Sequence, residues 1–503
     1  MSSKIEVQLT QYTPLLHFQG QQEGACLRAS EVKPALDHFI TAWLKKINKT
    51  APPQWIQSEV NGHTAYRYRM TFTANGEMQG GYLCNKGTYA TDNQGKPKVN
   101  VDRNNCEIHN LFFAAMGPEA FDITPETPAG DTVESRIKGV FYPEGMTMTI
   151  LVPGDQENKL SALLKKLIPP FFALHCFGNR SNKGFGSFGV TKMDGDNVPD
   201  MDLTDLIQYT PIDALYFAKY GSAANLSYTN YLDDVFMLSN IMKSGINYTH
   251  GKTGENGDTS KTPYYKGMIF QYFLDEKLHN NKKIHSEKAS IKKFVLNRGT
   301  EVEDNFVREH FYESFDGEID CRFVRAIIGL PQQYEYRKDG RWKNGQYVLT
   351  NPHSRREGTI AVENKVSFRN QSNQDDQEPT ITRYENPIHF KPYGNTLLII
   401  PQEIPDKMKN QVFYLIKSEM NQERRNNRIV INAHSRYTKI RTPVKFDLVL
   451  FLDYCCEKYS IDWGSLLTKF RDNSRPSTTI RNALNRITSI EKAEPKAGDE
   501  HNG

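Results

Sequence analysis

The sequence predicts an α+β protein: a ferredoxin-like unit first, then a mainly helical insertion, then a second α+β unit. Three observations carry this reading. Hydrophobic periodicity switches between two and 3.6 in the order β, α, β, β, α, β over about the first 200 residues, which is the split βαβ pattern of an antiparallel sheet with two helices on one face. Helical spacing then dominates from about 229 to 315, and strand-like segments resume only at Gly358. With 503 residues, the chain is also too long for one ordinary core.

Lys4 to Phe18 alternates and reads as a strand ending in a loop at Thr13-Pro14. Ser30 is a candidate cap for a helix from Lys33 to Ile47, which places Leu36, Phe39, Ile40, Trp43, Leu44 and Ile47 at helical spacing. Ala65 to Thr73, Glu134 to Phe141 and Met146 to Val152 alternate as strands do. Leu160 to Leu174 returns to the helical period, broken at Pro169-Pro170, and Phe185 to Val190 reads as another strand; an insertion interrupts the unit around 85 to 130.

Residues 191 to 204 are acidic, contain proline and read as a linker. Helices are expected at Tyr231 to Met242, Tyr265 to Leu278 and Val302 to Phe315, with a Gly/Lys/Thr-rich stretch at 250 to 262 between them. Strands follow at Gly358 to Phe368 and Thr396 to Ile400, with a polar loop from Asn370 to Glu378, then helices at Lys409 to Arg424 and Phe446 to Tyr459. The expected divisions are 1–200, 201–320 for the helical insertion, 321–490 for the second unit, and a charged, disordered tail at 491–503.

Composition excludes several classes. Sixty-three basic and 59 acidic side chains leave a formal charge of +4, so wholesale coating by a polyanion is not expected and local clusters must decide. No apolar run approaches the roughly 20 residues that span a bilayer, and the alternating N-terminus lacks the apolar core of a secretory signal; a cytoplasmic protein with no membrane partner is expected. The seven cysteines are an odd number without two-residue spacing, and the 13 histidines form no metal motif, so no cofactor or structural metal is expected.

The sharpest motif runs from Phe177 to Gly189, FGNRSNKGFGSFG, between a helix and a strand. Gly178, Gly184 and Gly186 allow positive φ and close backbone approach, while Arg180 and Lys183 place cations at the same spot, which suits a phosphate backbone. It is not a P-loop, because Lys183 precedes a glycine and the loop enters a strand. A flexible surface loop with incidental charges is the bland alternative.

The motif's spacing, a hydrophobic residue, glycine, five residues and Gly-Phe-Gly after the second helix, resembles the glycine-rich loop of the RAMP superfamily, the RNA-binding subunits of CRISPR effector complexes. Further stretches are similar to one branch, the first-numbered RAMP subunit of type III-B (Cmr) complexes: Leu9 to Phe18, Leu27 to Lys33, Glu134-Ser135-Arg136, Arg325 to Pro331, and Arg383 to Pro392. The resemblance implies two ferredoxin-like (RRM-like, RAMP) units with a helical insertion, forming a non-catalytic subunit. Such a subunit holds the crRNA 3′ region and the paired target RNA in antiviral defence, beside other RAMP subunits. Arg28, Lys33, Arg136, Arg325, Arg383 and Lys391 in these stretches are then candidate RNA contacts alongside Gly178, Arg180, Lys183, Gly184 and Gly186.

The residues agree with an RNA role. Arg28 and Lys33 flank the start of the first helix, whose amides favour anions. Between Arg424 and Lys445 there are seven basic and no acidic residues, Arg424, Arg425 and Arg436 among them, with His434 and Tyr437 interleaved. That mixture suits single-stranded RNA, and a docking face for a neighbouring subunit is the alternative. Tyr231-Leu232-Asp233-Asp234 has the form of a polymerase metal motif but lies in a helical pattern, which argues against two-metal chemistry. A metal-independent RAMP endoribonuclease processing crRNA precursors, using His17 or His38 as the proton carrier, is the second functional reading. Cys455-Cys456 reads as core packing.

Overall fold

Alternate residues of the first strand, Ile5, Val7 and Leu9, are buried, and this alternation builds the first sheet. The structure, a computed structural model, describes residues 2–16, 26–80, 86–91, 97–101, 123–134, 139–155, 157, 159–222, 226–247, 264–275, 324–329, 333–336, 340–343, 346–349, 364–370, 384–418, 422–425, 428–431, 436–470 and 475–495. The expected helix at Val302 to Phe315, the stretch 250 to 262 and the loop beyond Asn370 lie outside the described residues.

The first sheet is made by β1 (Ser3–Gln11), β2 (Arg69–Ala74), β3 (Met146–Val152) and β4 (Phe188–Met193), in the order β4-β1-β3-β2, with the two-residue strand Asp196–Asn197 as a fifth on the outer edge of β4 and every pair antiparallel. Ile5 opposes Ile150 and Val7 opposes Met148, so the apolar residues share one face. Two helices cover that face: α1 (Ala29–Lys46) through Leu36, Phe39, Ile40 and Leu44, and α2 (Lys159–Leu174) through Leu164, Leu167, Ile168 and Phe171. The helix α1 starts earlier than its periodicity suggests: Arg28 is its N-cap, without a side-chain cap, and Ser30 lies inside it. Nor does Pro169-Pro170 break α2, which continues to Leu174. The backbone bonds that two prolines remove are outweighed by burial of Phe171 and Phe172, both 0 % exposed.

The chain then forms β5 (Tyr216–Tyr220) and α3 (Tyr228–Ser239), followed by α4 (Met268–Asp275), β6 (Gln333–Tyr336) and β7 (Asn364–Asn370). Next come β8 (Ile388–Tyr393), β9 (Thr396–Pro401), β10 (Val412–Ser418), β11 (Arg436–Arg441), α5 (Leu448–Lys469), α6 (Arg475–Arg486) and β12 (Ile487–Lys492). A second antiparallel sheet has the order β12-β5-β9-β8. In both four-strand sets the first strand lies between the last and the third, and the second lies outside the third. Residues of α3, α5 and α6, such as Val235, Phe451, Cys455 and Leu484, close the second core.

Three expectations change here. Residues 216–220, placed by the sequence in the helical insertion, are the strand β5 next to the centre of the second sheet. Lys409 to Arg424, expected as a helix, holds the strand β10, because Val412, Phe413, Tyr414 and Ile416 are β-branched or aromatic. The tail expected to be disordered from 491 begins inside β12, and the Ala493 amide donates to the Leu215 carbonyl at 2.9 Å. Between α4 and β8, a third antiparallel sheet begins; its order is β6-β7-β10-β11. Among the described residues no helix is long and apolar enough to cross a membrane.

Candidate nucleic-acid interface

The glycine-rich loop leaves α2 at His175 and re-enters the sheet at Phe188, and its glycines are dictated by the protein's own backbone. Gly178, Gly184 and Gly186 all have positive φ, at 80°, 79° and 64°. A Cβ on Gly186 would stand 2.0 Å from the Phe177 carbonyl oxygen, and one on Gly178 2.4 Å from that of Leu16. The close approach expected for RNA at these two positions is therefore occupied by the chain itself. Gly184 packs against Pro392 of β8, where a Cβ would meet Cδ at 3.1 Å.

The loop amides are used in the same way. Asn179 donates to Leu16 O at 2.7 Å, Gly186 to Pro14 O at 2.8 Å and Ser187 to Thr13 Oγ1 at 3.0 Å. The Gly178 amide donates to the Glu31 carboxylate on the first turn of α1, so the loop and that helix start form one surface. The loop also ties the two sheets together: the Phe390 amide of β8 donates to Asn182 O at 3.1 Å, and the Ser187 hydroxyl donates to Pro392 O. The crest of the loop runs from Asn179 to Lys183. Arg180 there takes left-handed backbone at φ 61°, and Arg180 and Lys183 are half-buried.

The structure sorts the other candidates. Arg28 is the N-cap of α1, three residues before the Glu31 that accepts from the Gly178 amide. Lys33 does not serve the surface: its ammonium donates to Asp37 at 2.7 Å and to Tyr66 O at 3.0 Å, and lies 4.2 Å from the centre of the Tyr68 ring. Lys391 is buried, donating to Phe188 O at 2.7 Å across the junction of the sheets, and burial lowers its pKa to about 8. Arg325 is buried in the short helical turn Val324–Ile328. All three were legible as charges, but the engagement of Lys33 with Asp37 and Tyr66 and the burial of Arg325 and Lys391 were not. Arg136, Arg383 and His17 lie outside the described residues. Arg424 and Arg425 fall on a hairpin (Gln422–Arg425 with Arg428–Ile431), and Arg436 starts β11.

The remaining chemical candidates fall in different settings. Asp234 is 0 % exposed and accepts from Arg486 and from the Tyr220 hydroxyl, so the dipeptide Asp233-Asp234 presents no open carboxylate pair. Cys455 is buried in the second core. His38 is exposed on α1. Among the described residues no group of three or more His, Cys, Asp or Glu is placed to hold a metal.

Two histidines near the loop give the junction a pH response. His175 packs on the Phe171 and Phe39 rings, with Nδ1 3.0 Å from Phe171 O. Burial lowers its pKa to about 4, helped by the nearby Lys391, His389 and His38; burial does the same to His389, also to about 4. Both are neutral in the folded state below the ordinary value of 6.5, where the unfolded chain already takes up protons. Stability is thus present above pH 6.5 and lost as pH falls from there toward 4. Thermal unfolding should show a lower midpoint at pH 5 than at pH 7.5, and His175→Phe should flatten the slope. A midpoint equally pH-dependent in both proteins would remove His175 from the account.

A family model described as the Cmr1 N-terminal domain matches residues 2–246, and one described as the Cmr1 C-terminal domain matches residues 264–475. The chain belongs to the Cmr1 family. The resemblance carried by the glycine-rich loop and its companion stretches is to the right branch. The division between the two Cmr1 matches falls after α3, so the second sheet takes β5 from the N-terminal match and β8 and β9 from the C-terminal one.

Among solved structures, the chain is similar to Cmr1 from Pyrococcus furiosus in its apo form, at 11 % identity and TM-score 0.29 over 48 % of this chain and 72 % of that one. It is also similar to a chain of the type III-B Cmr-β complex bound to cognate target RNA and AMPPnP in the presence of ssDNA, at 10 % identity and TM-score 0.25, covering 80 % and 94 %. A second structure of that complex with cognate target RNA gives 12 % identity, TM-score 0.24, and 79 % and 94 % coverage. No curated protein matches the chain.

Proposed function

We propose that this chain is the Cmr1 subunit of a type III-B effector complex, binding the crRNA 3′ region and the paired target RNA without chemistry of its own. Its two sheets are read as ferredoxin-like units, residues 1–200 and about 214–493, the second carrying a long insertion between its helix α3 and its strand β8. The observation that carries the reading is the loop crest: Arg180 and Lys183 stand where the N-terminus of α1, the end of β1 and β8 converge, and Arg28 is the N-cap of α1. Cations beside a helix start suit a phosphate backbone. Neighbouring RAMP subunits complete the particle.

Replacing Arg180 and Lys183 by alanine should weaken single-stranded RNA binding and reduce the slope of log affinity against log salt by about 1.4, two phosphate contacts at about 0.7 each. Fluorescence anisotropy across a salt series reads this directly, and an unchanged slope in the folded double variant would overturn the assignment of the crest. Cutting of repeat RNA by the purified chain would instead favour the endoribonuclease reading.

A further inference from the structure

Among the described strands β8 is the last of the second sheet, and the glycine-rich loop lies along its outer edge. In an extended strand the N–H and C=O of one residue point to the same side, and every second residue repeats that side. Phe390 and Pro392 therefore turn their backbone groups outward together, and the loop meets both. The Phe390 amide donates to Asn182 O at 3.1 Å, its carbonyl accepts from the Cys176 thiol at 3.8 Å, and the Pro392 carbonyl accepts from the Ser187 hydroxyl. Pro392 has no amide to offer on that side, and its ring lies against Gly184 instead. A parallel bridge between Lys183 and Phe390 completes the edge.

Lys391, between these two residues, reaches across to the first sheet. Its ammonium donates to Phe188 O at 2.7 Å, at the residue where the loop becomes β4. The side chain is 1 % exposed, and among the described residues no carboxylate forms an ion pair with it. A buried ammonium without a counter-charge is unfavourable where an apolar side chain could fill the same volume, so core packing alone does not account for a lysine here. What the ammonium adds is the bond that fixes the base of the loop to β8. Contacts with β8 thus flank the crest, at Cys176 on one side and from Asn182 to Phe188 on the other, and Arg180 and Lys183 stand on the segment between and beside them.

We infer that β8 sets the position of the crest, and that Lys391 is a positioning residue for RNA rather than a phosphate contact. This rests on the proposal that the crest binds RNA, and adds that the other half of the chain decides whether the crest is presented. The cations belong to the N-terminal Cmr1 match and the strand that holds them to the C-terminal one. Without the ammonium bond the crest is in place for only part of the time, and RNA binds that fraction. Once bound, it neutralises the same phosphates, so affinity falls while the salt dependence stays.

The test uses the full chain, a labelled oligouridine, and trypsin, which cuts after Arg180 and Lys183. Lys391→Met keeps a side chain of similar length and removes the donor; Kd should rise about tenfold, the loss of one hydrogen bond from a charged group, at an unchanged slope of log affinity against log salt. Tryptic cleavage at the crest should rise about tenfold with other sites cut at the wild-type rate, whereas a merely weakened core would be cut faster throughout. In the Arg180→Ala/Lys183→Ala background, Lys391→Met should leave the residual affinity unchanged. Ser187→Ala, which removes the bond to Pro392, should raise Kd about threefold, and it carries the test if Lys391→Met fails to fold. Wild-type Kd and crest cleavage in the folded variants would overturn the inference. A slope lower by about 0.7 in Lys391→Met would overturn it in favour of a direct phosphate contact. The same loss of affinity persisting in the Arg180/Lys183 background would also overturn it, by placing the effect of Lys391 away from the crest. Failure of the wild-type chain to bind the oligouridine would overturn the RNA reading of the crest, and the cleavage rates would still decide whether β8 holds it.

Discussion

Asp234→Ala is expected to lower the stability of the second unit by about 3–5 kcal/mol, the cost of stranding one partner of a buried ion pair. The Asp234 carboxylate is 0 % exposed and receives Arg486 through Nη2 at 2.5 Å and Nε at 3.1 Å, with the Tyr220 hydroxyl at 2.9 Å. These three residues sit on α3, at the end of α6 and at the end of β5, so one interaction joins two helices to the sheet. Removing the carboxylate leaves a guanidinium with 13 % of its side chain exposed and no countercharge from this pair. Asp233→Ala, one residue back and only half-buried, is the comparison and should cost less than Asp234→Ala. Urea denaturation of the two variants reads the difference, and a loss below about 1 kcal/mol for Asp234→Ala would show that the network is dispensable. The same contacts engage the Asp234 carboxylate, so Asp233-Asp234 presents no open carboxylate pair.

Gly186→Ala should be comparably damaging, and should abolish RNA binding at the crest as well. Left-handed backbone costs an alanine about 1–2 kcal/mol. The added Cβ would also stand 2.0 Å from the Phe177 carbonyl oxygen, which belongs to a backbone pair that closes the loop: Phe177 N–H to Gly186 O at 2.9 Å. Relief requires moving that backbone, which brings the total into the ~4 kcal/mol range reserved for a few mechanisms. Gly62→Ala, in an open turn with nothing within 4 Å of the new Cβ, pays only for its φ of 77° and is the control. Thermal midpoints for the two variants, together with salt-dependent RNA binding, check this; equal losses would mean that the clash is absorbed and only the dihedral matters.

The glycine-rich loop shows how far the sequence reaches and where it stops. Its glycine spacing placed the superfamily and the position of the loop, and the companion stretches placed the branch, because both are local properties. It did not say what the glycines approach, since the carbonyls of Leu16 and Phe177 meet Gly178 and Gly186 only after β1 and the loop have come together. The first sheet was legible because its strands alternate and its helices show one apolar stripe each. The second was misdivided for a reason of the same kind: Tyr216-Phe217-Ala218-Lys219-Tyr220 is five residues long, and its partners lie about 180 and 270 positions away, Tyr216 opposing Ile399 and Lys492.

Sequence alone therefore determined the α+β class, the first unit's order of elements, the family and the position of the loop, all of which depend on patterns within some tens of residues. Tertiary structure decided which cations face outward. Lys33, Arg325 and Lys391 have the composition of a phosphate site, yet Lys33 is tied to Asp37 and Tyr66, and Arg325 and Lys391 are buried. Whether a charged side chain reaches water depends on what the rest of the chain packs over it, and no local pattern encodes that.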